Sequence, residues 1–245
     1  MGIQMNRQKG SHPLAAWRVI VLVSGLACAG LLGPAPAVAD DVSDAQQLVE
    51  KARWTLEGMA ADPNFEALRN LLKTAKGVYI APQVLRGAFI IGASGGSGVL
   101  LARDDKAGEW GGPAFYTIGE ASFGLQIGGD ASEVVLLAMT ERGVSSLLST
   151  SVKLGGDVSI AAGPVGAGVR GETAGLSVDI VSFARSKGLY AGISFEGALV
   201  ATRDGLNKAY YGKAVTPTDI LIRREVSNQQ AARLIRSVAE AAGGK

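Results

Sequence analysis

The chain has 245 residues, with 24 basic against 22 acidic side chains, one cysteine and one histidine. Both of the latter, Cys28 and His12, fall within the first 39 residues. From Asp40 onward there is no thiolate, imidazole or disulfide, which excludes Ser-His-Asp hydrolases, cysteine proteases, zinc enzymes and c-type haem attachment.

Residues 1–39 read as an export signal. Arg7, Lys9 and Arg18 form a basic start, Val19–Gly33 an apolar run of 15 residues, and Ala37-Val38-Ala39 a small-x-small cleavage pattern. The run is too short and too rich in Gly and Ala to read as a transmembrane helix. Cleavage is expected after Ala39, leaving a periplasmic or secreted protein, with Met5 an alternative start. A rival reading makes Cys28 a lipoprotein acylation site, although Gly25 stands where leucine would be usual. Three of the 24 basic residues leave with the signal, so the chain from Asp40 carries 21 basic against 22 acidic groups. That balance argues against a nucleic-acid partner held by bulk electrostatics. The remaining 206 residues suffice for one sizeable core.

Val42–Ala60 predicts an amphipathic helix with Ser43 as N-cap. Ala45, Val49, Ala52, Leu56 and Met59 recur at spacings of three and four. Its face carries Lys51, Arg53 and Trp54, an arrangement suited to lipid headgroups, diluted by Glu50 and Glu57. Asp62-Pro63-Asn64 ends it, and Phe65–Thr74 starts a second helix. Lys76–Arg103 then predicts strands at Val78–Ala81, Gly87–Gly92 and Val99–Ala102, with a turn at Pro82 and a glycine bend at Gly92–Gly98. The bend lacks the Lys-Ser/Thr pair of a Walker loop and the following helix of a dinucleotide fingerprint.

Trp110–Tyr116 reads as an aromatic extended segment covering one end of the sheet. Further strands are expected at Ser122–Gly128, Val134–Met139, Lys153–Ala167, Leu176–Phe183 and Tyr190–Ala201, with a glycine-rich loop at Gly168–Gly175. A short helix from Thr140 or Glu141 to Leu148 separates the second of these from the third. Helices at Asp204–Tyr211, Thr216–Ile222 and Ser227–Ala242 close the chain. Seven to nine short, glycine-rich strands with helices at both ends predict an α+β single domain. Its antiparallel sheet should be curved or barrel-like.

The phrases AKGVYIAPQVLRGAFIIGASGGSGVLLAR, W-x-x-PAFYTIGEASFGLQIGG, SVKLGGDVSIAAGPVG, IVSFARSKGLYAGISFEGALVATR and AYYG occur in this order. Together they resemble the SYLF domain, a lipid-binding family of bacteria, fungi and animals. The resemblance covers about 56–212, leaves 216–242 as a C-terminal helical extension, and fits an exported bacterial member. It implies binding of anionic phospholipid or phosphoinositide; peripheral membrane contact and no cofactor are expected. In fungal and animal members it also implies actin association and an accompanying Src-homology-3 domain. Neither is carried over to an exported protein, and any protein partner is left open.

Cations at strand ends are the candidate headgroup ligands: Lys73, Lys76 and Arg86 converging on one rim, with Lys153, Arg185 and Lys187 at other ends. Lys76, Arg86, Arg185 and Lys187 lie within the family-like phrases. Each also has a plainer reading as a solvated charge. Asp157, Asp179 and Glu196 fall within predicted strands and need partners, with Arg185 or Lys187 available. A paired-carboxylate hydrolase would need only two such acids, but no spacing selects that reading over structural ion pairs. Trp110, Phe115 and Tyr116 suit either a ligand mouth or a cap on the core. The expectation is a non-enzymatic lipid-binding module of the bacterial envelope. The alternative is a structural or protein-interaction module without lipid binding.

Overall fold

Two helices lead into the sheet. The computed structural model describes residues 37–88, 91–104, 106–123, 128–167, 178–186, 189–191 and 195–243. Helix α1 (Ala37–Ala61) buries Ala45, Val49, Ala52, Leu56 and Met59, the residues its spacing selects. Ser43 does not cap it. The helix starts earlier, and the Ser43 hydroxyl instead accepts a hydrogen bond from Gln47 Nε2 at 3.1 Å. A 3-10 turn at Pro63–Phe65 follows, capped by Asp62, whose carboxylate accepts from the Asn64 N–H at 2.9 Å. Helix α2 (Glu66–Leu72) then delivers the chain to the sheet. Residues 1–36, including Cys28 and nearly all of the expected signal, lie outside the described residues.

Four long strands form the centre: β1 (Gly77–Ala88), β2 (Ile91–Arg103), β3 (Trp110–Phe123) and β4 (Gly128–Ala138). Helix α3 (Glu141–Leu147) and the short strands β5 (Ser151–Lys153), β6 (Ile160–Ala162), β7 (Ile180–Ser186), β8 (Leu189–Ala191) and β9 (Leu199–Thr202) follow. Helices α4 (Asp204–Tyr211), α5 (Pro217–Leu221) and α6 (Ala232–Ala241) end the chain. The strand order is β5-β9-β3-β2-β1-β4-β7-β6, with β8 on β7, and among these described strands only the β6–β7 pair is parallel. The product is an α+β single domain whose mostly antiparallel sheet curls into a half-barrel.

Both faces of the sheet are covered, as period-two alternation requires. Val78, Ile80, Val99, Leu101, Phe115, Val135, Leu137 and Phe183 meet α1, α2, α4 and α6. Tyr79, Leu100, Tyr116, Val134 and Leu136 meet α3, α5 and the β5–β6 region. Trp110, Phe115 and Tyr116 are therefore core residues within β3 rather than a segment laid over the sheet end.

Two expectations about the central stretch are corrected. Pro82 is not a turn, because β1 passes straight through it. From Ile80 to Leu85 the strand advances five residues while β2 advances four, from Val99 to Gly95. Against β4, three steps from Ala81 to Val84 face two from Val134 to Ser132. Pro82 has no N–H to give the ladder, and one extra residue is absorbed there as a bulge. Nor is Gly92–Gly98 a bend, since it runs within β2. A Cβ on Gly98 would lie 2.5 Å from Tyr79 Cζ, and one on Gly96 would strike the Gln83 carbonyl. Those two glycines admit neighbours rather than turn the chain.

Other boundaries shift for local reasons. The expected strand at Lys153–Ala167 divides into β5 and β6 around a turn where Gly155 has φ 77°. Tyr190–Ala201 divides into β8 and β9, with Gly197 at φ 93° between them. Ser122 and Phe123 end β3 and Gly128 opens β4, while 124–127 lie outside the described residues, as does the loop Gly168–Gly175. Thr216 caps α5 through a reciprocal capping box with Asp219. The expected helix at Ser227–Ala242 begins as a 3-10 turn capped by Asn228 before α6.

Candidate functional site

The β1 bulge has a consequence for the surface. An extra residue inverts the alternation beyond it. Val84 is therefore buried on the α3 side, while Leu85 emerges on the α1 side, 56 % exposed. There α1 and the bulge enclose two adjoining hollows that share Lys51, Pro82 and Gln83. One, of about 300 Å³, is lined by Leu85, Gly95–Ser97 and Arg203, with Asp44 at its edge. The other, of about 470 Å³, is lined by Trp54, Thr55, Ser132, Glu133 and Arg185. Together they form one groove along α1.

The charges in this groove are unevenly compensated. Arg185 donates from both Nε and Nη2 to Glu133 Oε2 at 2.6 Å, and Thr55 donates to Glu133 Oε1 at 3.0 Å. Arg203 donates from Nη1 only to the Ser97 hydroxyl, at 2.7 Å. Lys51 makes no hydrogen bond or ion pair with any described side chain. Lys51 and Arg203 are thus cations without a carboxylate partner among the described residues. Trp54 stands 58 % exposed beside them, with the Arg53 guanidinium 5.6 Å from its ring centroid. Arg53 is itself held by Glu57 at 2.8 Å and Glu50 at 3.1 Å, so it orients the indole rather than offering free charge. The hydrogen bond that Arg53 donates to Glu57 favours the charged guanidinium and raises its pKa. Glu57 is lowered in turn, first by the Ser237 hydroxyl and then by Arg53.

The structure brings Lys51, Trp54 and Arg185 together, but not the other expected ligands. Lys76 precedes β1 and lies 3.4 Å from Glu141, and Lys73 donates to Asn70 at 3.2 Å. Arg86 is ten residues further along β1, roughly 30 Å away. These three do not converge on one rim, because the expected turn between them is a bulge in a continuing strand. Arg86 lies opposite Ser94 and Asp130, and alternation with Leu85 puts it on the other face of the sheet. Lys153 is exposed in edge strand β5, and Lys187 lies outside the described residues.

Arg203 and Leu85 were missed as site residues. Arg203 was visible as a cation placed directly before a helix, in a position where it makes no side-chain cap. Leu85 gave no local sign, since its exposure depends on register across the bulge.

The acids have structural partners other than those expected. Asp179 accepts from Thr140 Oγ1 at 2.6 Å and Ser159 Oγ at 2.7 Å, with Arg142 at 3.9 Å. The two hydroxyls hold it below the usual carboxylate range. Asp157 accepts from the Lys153 N–H at 2.8 Å, and Glu196 is exposed. Arg185, expected to serve these acids, pairs with Glu133 instead. Among the described residues no group of three His, Cys, Asp or Glu side chains could hold a metal, and no helix is long and apolar enough to cross a membrane.

The sequence model of the Ysc84 family, described as Las17-binding protein actin regulator, matches residues 119–241, from within β3 to the end of α6. The chain belongs to the Ysc84 (SYLF) family. Over 159 residues it is 35 % identical to protein YSC84 of Saccharomyces cerevisiae, covering 63 % of this chain and 33 % of that protein. Over 154 residues it is 31 % identical to the human SH3 domain-containing YSC84-like protein 1, covering 62 % and 44 %. A Schizosaccharomyces pombe SH3 domain-containing protein is 33 % identical over 156 residues, covering 62 % and 36 %. The matches thus span from one third to under one half of these Ysc84 relatives' own lengths. In the Ysc84 member described here, the matched part contains Glu133, Arg185 and Arg203 of the groove, whereas Lys51, Trp54 and Leu85 precede it.

Proposed function

We propose that this Ysc84-family chain is a non-enzymatic lipid-binding module, taking anionic phospholipid or phosphoinositide headgroups in the groove along α1. The observation that carries this reading is the pairing of two cations without a carboxylate partner among the described residues, Lys51 and Arg203, with two exposed apolar side chains, Trp54 and Leu85. A phosphate would accept charge-assisted hydrogen bonds from the cations while the indole and leucine enter the acyl boundary. The setting proposed is the periplasmic side of a bacterial envelope after cleavage near Ala39. Such a cut retains every core-facing residue of α1 from Ala45 onward.

The test is co-sedimentation of the chain from Asp40 with phosphatidylcholine, phosphatidylglycerol, cardiolipin and phosphoinositide vesicles, at low and moderate salt. Binding should need anionic lipid, fade with salt, and fall at least tenfold in Lys51→Glu/Arg203→Glu. Binding that ignores lipid charge, or survives that double reversal, overturns the site. A second reading, a protein-interaction module, is favoured by the description of the family as Las17-binding. It predicts no vesicle binding together with a specific crosslinked partner.

A further inference from the structure

Gly95 and Gly119 face each other across β2 and β3 in a way the fold does not demand. Neither has a positive φ. Among the described residues, a Cβ built on Gly95 would meet only the Ile118 carbonyl at 3.8 Å, and one on Gly119 only the Ser94 carbonyl at 3.5 Å. Both are ordinary contacts, so a methyl group would fit at either position. Gly96 and Gly98, on the opposite face, are required by close neighbours, but these two are not. Strand interiors favour β-branched and aromatic residues, and a glycine there often marks a close approach by a ligand or another backbone.

Register extends this bare spot into a trough. Leu85 pairs with Gly95, Gly95 with Gly119, and Gly119 with Leu199. Directly opposed residues point to the same side of a sheet, so the four form one cross-strand row. Its two ends are leucines that are 56 % and 52 % exposed. Three strand spacings separate them, about 14 Å. Between the leucines the sheet offers flat backbone. The β1 bulge puts Leu85 on this side, and Leu85 and Gly95 line the same hollow as Lys51 and Arg203.

We propose that this row is an acyl-chain seat: the protein holds one anionic lipid as a monomer, its phosphate at Lys51 and Arg203 and a chain lying over Gly95 and Gly119 between the two leucines. The proposal rests on the lipid reading above and adds to it that a chain leaves the bilayer. Charge complementarity selects the occupant. Two cations without carboxylate partners among the described residues border an apolar trough, with Asp44 the acid lining that hollow, which suits an amphiphile with an anionic head.

The experiment incubates delipidated protein with phosphatidylglycerol vesicles, removes the vesicles, and measures by mass spectrometry the lipid that stays with the protein. About one phosphatidylglycerol per chain is expected. Gly119→Val, outside the groove lining, adds bulk to the trough and should retain at least tenfold less lipid, while co-sedimenting with intact vesicles as the parent does. Leu199→Ser, at an exposed position outside the groove lining, should behave likewise and guards against a folding defect in the valine variant. Lysophosphatidylglycerol should displace the bound lipid at least tenfold more effectively than glycerophosphoglycerol, which has the same head and no chain. Vesicle binding without lipid retained after vesicle removal overturns the acyl seat and leaves the headgroup reading standing. Retention unchanged in both trough variants also overturns it, and loss of vesicle binding altogether removes both readings.

Discussion

Glu133→Gln should strengthen binding to anionic vesicles while weakening the fold. The groove holds three cations, Lys51, Arg185 and Arg203, against two acids, Asp44 and Glu133. The amide removes one negative charge and releases Arg185 from its 2.6 Å pair. A basic group near an anionic surface is worth about 1 kcal/mol. That corresponds to about a fivefold gain in affinity. The same change replaces a charged acceptor for Arg185 and Thr55 with a neutral one. The pair's side chains are 25 % and 30 % exposed, so solvent screens part of the interaction. The cost is about 1 kcal/mol. In a domain of this size that lowers Tm by about 2–4 °C. Co-sedimentation with phosphatidylglycerol vesicles at several salt concentrations reads the first effect, and a circular-dichroism melt reads the second. Equal or weaker low-salt binding by a folded Glu133→Gln protein would refute the assignment of Arg185 to the groove. A rise in Tm would refute the view that the pair supports the fold.

Gly98→Ala should destabilise by about 1–3 kcal/mol through overpacking. Gly95→Ala should leave the denaturant midpoint almost unchanged, because the new methyl group meets nothing among the described residues closer than 3.8 Å. Phe183→Ala, which empties a fully buried position stacked edge-on against Phe65, should cost about 3–5 kcal/mol in urea unfolding. Asp179→Asn should cost about 2 kcal/mol at pH 7. The Asp179 carboxyl is held below its ordinary value in the fold, so its contribution is complete above that ordinary value, about pH 4, and disappears as pH falls through the folded one. The stability gap between Asp179→Asn and the parent should therefore close below about pH 4; a gap constant with pH would contradict the hydrogen-bond account. Ser237→Ala removes the largest influence lowering Glu57, and an NMR titration should find that carboxyl shifted back upward.

Local pattern and composition determined much of this protein. The spacing of Ala45, Val49, Ala52, Leu56 and Met59 marks the buried face of α1, because helical periodicity is a property of neighbours along the chain. Alternating apolar runs announce a sheet, and the ordered phrases from Lys76 to Gly212 point to the family. The glycines, Pro82 and the cations required the tertiary structure, because their roles depend on residues across the strands. Pro82 reads locally as a turn, yet β2 and β4 pair on both sides of it and reduce it to a bulge. Gly98 and Gly95 are three residues apart and look alike in sequence; what separates them is Tyr79, 2.5 Å from a Cβ on the first, where a Cβ on the second meets the Ile118 carbonyl at 3.8 Å. Arg185 and Arg203 are equally basic. What distinguishes them is Glu133, 52 residues from Arg185 in the chain and 2.6 Å from it in space. A one-residue change of register reverses which face a side chain occupies, and that non-local choice placed Leu85 on the groove.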